Sequence, residues 1–102
     1  MLFTRKKESP DDLLKKGAAI FLLSGLKDEA TDAEYCAYVA IRGDRIDAFF
    51  RAALSKGSYA VDRFGVVLTS APGLQPSESM RAELKTRYGV DPTFTTTLPV
   101  LQ

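Results

Sequence analysis

With 102 residues, 45% of them apolar and 26% charged, the chain has the size and composition of one globular domain, which excludes the disordered, collagenous and disulfide-scaffold classes. Its 14 basic and 13 acidic residues leave a formal charge of +1, so no global field draws it to nucleic acid or to an anionic membrane. The single cysteine, Cys36, has no intrachain partner, and Met1 to Lys7 lacks the apolar stretch of a signal peptide; together these predict a cytoplasmic protein.

The first residues, up to about position 9, read as a flexible basic terminus carrying Arg5, Lys6 and Lys7. Ser9-Pro10-Asp11-Asp12 then supplies an N-cap, a proline at the first helical position and carboxylates for the positive helix end, so a helix begins at Pro10. Gly17 can end it early, or Leu13, Leu14, Ala18, Phe21 and Leu22 can continue it; the short version is preferred. The reason is that Ala18 to Ser24 is apolar on every side, of strand length, and bounded by Gly17 and Gly25, as suits a buried central strand. The whole apolar run from Gly17 to Leu26 falls short of the roughly 20 residues that span a bilayer as a helix.

After the acidic connection Asp28 to Glu34, the segment Tyr35 to Ile41 has the tyrosine, valine and isoleucine of a second strand, pairing with the first as a hairpin. A rival reading takes Thr31-Asp32-Ala33-Glu34 as a capping box opening a helix that ends at Gly43, which would favour an all-α bundle. From Asp44 to Lys56 the pattern is helical, with Ile46, Phe49, Phe50, Ala53 and Leu54 on one face and Gly57 as the stop. A loop from Ser58 to Arg63 leads to a third strand, Phe64 to Ser70, halted by Pro72-Gly73. Strand, helix, strand suggests a right-handed crossover that buries Phe49 and Phe50 between parallel strands. The last helix runs from Ser77 to Tyr88 and stops at Gly89-Val90 in the manner of a Schellman motif. Residues from Asp91 onward read as an extended or mobile tail. The expected architecture is thus one α+β domain over residues 10–90: a three-stranded sheet with a hairpin, a crossover helix and a C-terminal helix.

The absence of histidine removes Ser-His-Asp triads, Cys-His pairs and the usual zinc sites. Cys36 sits in an apolar strand with no adjacent base, which makes it a core residue and not a nucleophile. Asp28, Glu29, Asp32 and Glu34 lack the glycine and bidentate glutamate of an EF-hand loop, and the glycines at 57, 65 and 73 are too dispersed for a phosphate loop. No catalytic constellation, metal site or cofactor is expected.

Three kinds of binding remain. Tyr35 and Tyr38 point to opposite faces of their strand, so one of them is free to be exposed; Tyr38 with Arg42 is the interface pair expected of an adaptor, regulatory or subunit domain that binds a protein or itself. A small-ligand or anion site can form where Ser70 and Gly73 lead into the helix start at Ser77, with Arg81 one turn on. RNA binding has least support: Arg63-Phe64-Gly65-Val66-Val67 shares only part of the RNP1 pattern, with Tyr38 or Phe64 as the rings that would stack on bases.

Overall fold

The structure, a computed structural model, describes residues 9–28, 30–56 and 61–99, with the side chains at 53–56, 62, 94 and 99 outside the described set. The basic stretch Arg5 to Lys7, the expected helix stop at Gly57, most of the loop before Val61 and the Ala53 and Leu54 side chains therefore lie outside the described residues.

Helix α1, Pro10–Lys15, is as short as the sequence implies: the Ser9 hydroxyl accepts from the Asp12 N–H at 3.2 Å, and Gly17 at φ +81° turns the chain into a strand. Strands β1 (Ala19–Lys27) and β2 (Glu34–Ile41) form the expected antiparallel hairpin. Its turn is built on Asp28, whose carboxylate accepts from the N–H groups of Ala30 and Thr31 at 2.8 and 3.2 Å. The helical alternative for residues 32–42 is thereby excluded, and with it the all-α bundle. β2 is central and covered from both sides, so Cys36 through Ile41 are all buried. A surface helix would have needed a polar face there.

A 3-10 turn at Gly43–Arg45 leads into α2, Ile46–Lys56; a short helix α3, Val61–Phe64, occupies the end of the segment expected as a loop, and β3 follows at Gly65–Pro72. β2 and β3 pair antiparallel, so α2 is no crossover between parallel strands. The excursion through α2 and α3 returns the chain beside the strand it left, running the opposite way. The true crossover is made by α4, Glu78–Tyr88, which links β3 to a further strand β4, Thr96–Pro99. β4 lies parallel to β1, and the sheet has four strands in the order β3-β2-β1-β4, not three. The fourth comes from the stretch after Asp91, where a 3-10 turn at Pro92–Phe94 redirects the chain along the open side of β1.

Helices cover both faces of this sheet. On one, Phe21, Leu23, Ala37, Val39 and Ile41 meet Phe49 of α2 and Phe64; on the other, Leu22, Cys36, Tyr38, Ala40 and Leu68 meet Met80 and Leu84 of α4. The Phe49 ring stacks on Phe21 at 6.2 Å between centroids and meets Phe50 and Phe64 edge to face at 5.6 and 6.0 Å. α4 is closed at both ends as its sequence predicts: the Ser77 hydroxyl accepts from the Met80 N–H at 3.2 Å, Gly89 adopts φ +68°, and the Val90 N–H donates to the Leu84 carbonyl at 3.2 Å. Among the described residues no helix is long and apolar enough to cross a membrane.

Two bulges adjust the faces. At Gly25, φ +92°, β1 takes an extra residue, so Leu23 and Leu26 both face α2 despite their odd spacing. In β3, Tyr38 stands opposite Thr69 and Val39 opposite Val67, which leaves Leu68 as the inserted residue. Leu68 and Thr69 are in consequence both buried, and the Tyr88 hydroxyl donates to the Leu68 carbonyl at 3.2 Å.

Candidate interaction surface

The residues expected to form an anion site have separate local roles. Ser70 lines an open cleft of about 520 Å³ together with Asp28, Thr31, Glu34, Tyr35 and Pro72, while Gly73, Ser77 and Arg81 are not among its lining residues. The carboxylates of Asp28 and Glu34 make that cleft a poor host for an anion. Gly73, φ +96°, is a turn residue whose N–H donates to the Glu34 carbonyl at 3.0 Å. Ser77 uses its hydroxyl to cap α4. The charge of Arg81 partly offsets the rise that burial gives the Tyr38 pKa and adds to the lowering of that of Asp91. Asp91 itself is held below the usual carboxylate range chiefly by the hydroxyl and N–H of Thr93, the hydrogen bonds that fold the 3-10 turn before β4.

Tyr38 is not a surface residue. Only 2% of it is exposed, because the sheet is covered on both faces and Tyr38 looks into the α4 side. Burial pushes its hydroxyl above the ordinary tyrosine pKa. Tyr35, on the α2 side near the hairpin tip, is the half-buried one of the two. Arg42 is exposed at the end of β2, beside Asp44 at 3.4 Å, and lines a cleft of about 220 Å³ with Leu13, Lys16 and Ala18. The expected interface pair is therefore split between core and strand end. Phe64, 3% exposed, is also interior, so neither ring expected to stack on RNA bases presents a face to solvent.

Cys36 is fully buried, with its sulfur 3.8 Å from that of Met80 and 3.7 Å from the Ala71 carbonyl, and burial raises its thiol pKa. Both facts work against thiolate chemistry.

The feature that the sequence-based site assignment missed is the outer edge of β3. Sheet order places β3 at one edge and β4 at the other. β4 has four residues and ends in a proline. β3 has eight, Gly65-Val66-Val67-Leu68-Thr69-Ser70-Ala71-Pro72, with no charged side chain and no proline before its last position. Val67 is 47% exposed on the α2 side, one of two large apolar side chains so open among the described residues; the other, Leu74 at 48%, is in the loop after β3. Ser70 and Pro72, on the same side by their register with Ala37 and Tyr35, are exposed too. The strand's ends differ in charge. Near Gly65, the guanidinium groups of Arg45 and Arg63 lie 5.4 and 5.5 Å from the centre of the Phe64 ring, and Arg42 donates its N–H to the Phe64 carbonyl. Near Pro72 stand Asp28 and Glu34. A sequence signal for this edge exists: no charged residue occurs between Arg63 and Glu78.

Comparison with known proteins finds no family model, no curated protein and no solved structure that matches the chain. The molecule is defined by its own geometry: a four-stranded α+β sheet, helical on both faces, with one long uncharged edge.

Proposed function

We propose that this chain is a small non-catalytic protein-interaction domain of the cytoplasm, working as an adaptor, regulator or subunit, and that β3 is its contact surface. The observation that carries the proposal is the eight-residue edge without a charge, with Val67 47% exposed on it. An edge strand offers unpaired N–H and C=O groups to another chain, and lysines, inward charges or prolines are the usual guards against such pairing. β4 has a guard in its brevity and in Pro99, whereas among the described residues the β3 strand itself carries only its central bulge as a guard. Main-chain pairing along an edge gives affinity, and the side chains beside it give selectivity. The lack of histidine and the burial of Cys36 support a non-catalytic role.

The test is affinity capture from a native lysate, with and without nuclease and at two ionic strengths, using the wild type and Val67→Lys as baits. A lysine on the edge blocks strand addition without entering the core. The expected result is a nuclease-resistant protein partner held by the wild type and lost by the variant, at unchanged far-ultraviolet circular dichroism. Equal recovery on both baits, or recovery of nucleic acid alone, would overturn the proposal.

A further inference from the structure

The geometry points to a second copy of this chain as the partner of β3, paired antiparallel about a two-fold axis into a continuous eight-stranded sheet. The inference rests on β3 being the contact edge.

The first support is the pattern of faces. Directly opposed residues in an antiparallel pair share a face, so a strand pairing with its own copy must have a face sequence that reads the same from both ends. A regular strand reads so about any of its residues, and in β3 the bulge sets the matching axis between two residues at the strand's centre. Gly65, Val67, Ser70 and Pro72 stand opposite Ile41, Val39, Ala37 and Tyr35, all on the α2 side; Val66, Leu68, Thr69 and Ala71 are on the α4 side. With the axis between Leu68 and Thr69, Gly65 opposes Pro72 of the second copy, Val66 opposes Ala71 and Val67 opposes Ser70, each matched in face. Tyr88 already holds the Leu68 carbonyl, so the new ladder is carried by the two flanks of the bulge.

The second support is charge. The two-fold axis sets the Gly65 end of one copy against the Pro72 end of the other. Arg45 and Arg63, gathered about Phe64, are thereby brought toward Asp28 and Glu34 of the second copy, and the contact occurs twice. A parallel arrangement would set like charges together. Opposed charges at the two ends select the antiparallel register and weaken with salt.

Sedimentation velocity across the micromolar range decides the matter. The expected wild-type species is a dimer whose dissociation constant rises with ionic strength. Val67→Lys is expected to be monomeric, as is Ser70→Lys, a second edge block at an exposed position should the first fold poorly. Arg63→Glu and Glu34→Lys should each weaken the dimer by roughly tenfold, the scale of two exposed ion pairs turned repulsive. An equimolar mixture of these two variants should recover the dimer, since each copy then meets opposite charge. A wild type that stays monomeric throughout overturns self-pairing, while the capture experiment still judges the edge separately. A dimer indifferent to both lysines and both charge reversals overturns pairing through β3.

Discussion

Gly65→Ala should be among the most damaging single-methyl additions to this chain, although alanine in place of glycine ordinarily strengthens a strand. At Gly65 the backbones of β3 and β2 approach so closely that an added Cβ would lie 1.9 Å from the Ala40 carbonyl oxygen and 2.9 Å from its carbon. Comfortable carbon contacts are near 3.5 Å, so the strands must part there by roughly 1 Å or more. The bonds at risk are the two that flank the non-hydrogen-bonded Ile41-Gly65 pair at Ala40-Val66, together with the Arg42 N–H to the Phe64 carbonyl, now 3.1 Å. Three such bonds at about 1 kcal/mol each set the loss near 3 kcal/mol. The reduced entropy of the unfolded chain returns about 0.4–1 kcal/mol of it. A net loss of about 2–3 kcal/mol should lower the midpoint of thermal unfolding by roughly 10–20 °C in a domain of this size. Urea unfolding followed by circular dichroism measures the change directly, with the slope unaltered if only the folded state suffers. A variant within about 0.5 kcal/mol of the wild type, or more stable, would show that the close approach is not a constraint.

Two further outcomes follow from the cores. Phe49→Ala should cost about 3–5 kcal/mol, since Phe49 is wholly buried and its ring meets Phe21, Phe50 and Phe64, whereas Phe50→Ala, at a half-buried position, should cost clearly less; equal costs in urea melts would contradict the packing. Cys36 and Tyr38 both have pKa values raised by burial from ordinary values of 9.0 and 10.0, so the folded chain retains protons that the unfolded chain releases. Stability should therefore be insensitive to these two groups below about pH 9 and fall as pH climbs above it, with Cys36→Ala and Tyr38→Phe each flattening the decline. A wild-type curve that rises from pH 9 to 11 would count against both burials.

Much of this fold was legible because its strands are buried on both faces. Ala18 to Ser24 and Tyr35 to Ile41 read as continuous apolar runs, which is how a strand between two helical layers must look, and Ser9, Gly17, Ser77 and Gly89 mark helix ends by chemistry that acts within a few residues. The direction of β3 was not legible. Whether a helix joins parallel or antiparallel strands depends on the path of the chain after Lys56, and nothing local in the sequence encodes it. β4 was missed because Thr96–Pro99 has neither alternation nor length; it is a strand only because β1 has an open side to receive it. The assignment of Tyr38 failed for a related reason. The opposite facing of Tyr35 and Tyr38 follows from strand geometry, but exposure depends on what covers each face, and α4 covers the one that Tyr38 occupies. Ser70, Gly73, Ser77 and Arg81 are neighbours in sequence with separate local duties: a cleft with carboxylates, a turn, a cap, and a charge that adds to the lowering of the Asp91 pKa.

The contrast between the two edges explains why one of them should carry contacts. β1 and β2 are saturated, with helices above and below and strands on either side. On the α2 side the Phe21 and Phe49 rings draw that helix over β1 and β2, leaving Val67, Ser70 and Pro72 of β3 with less cover. On the α4 side the bulge turns both Leu68 and Thr69 inward. An edge packed into the core on one side and open on the other has its backbone already held in the extended form that an added strand must match, which lowers the entropic cost of pairing. β4 lacks this preparation, since its four residues are held to the sheet by β1 alone and its last residue has no N–H to offer. Removing the charge difference between the ends of β3 should leave the fold intact while loosening the register of whatever pairs there.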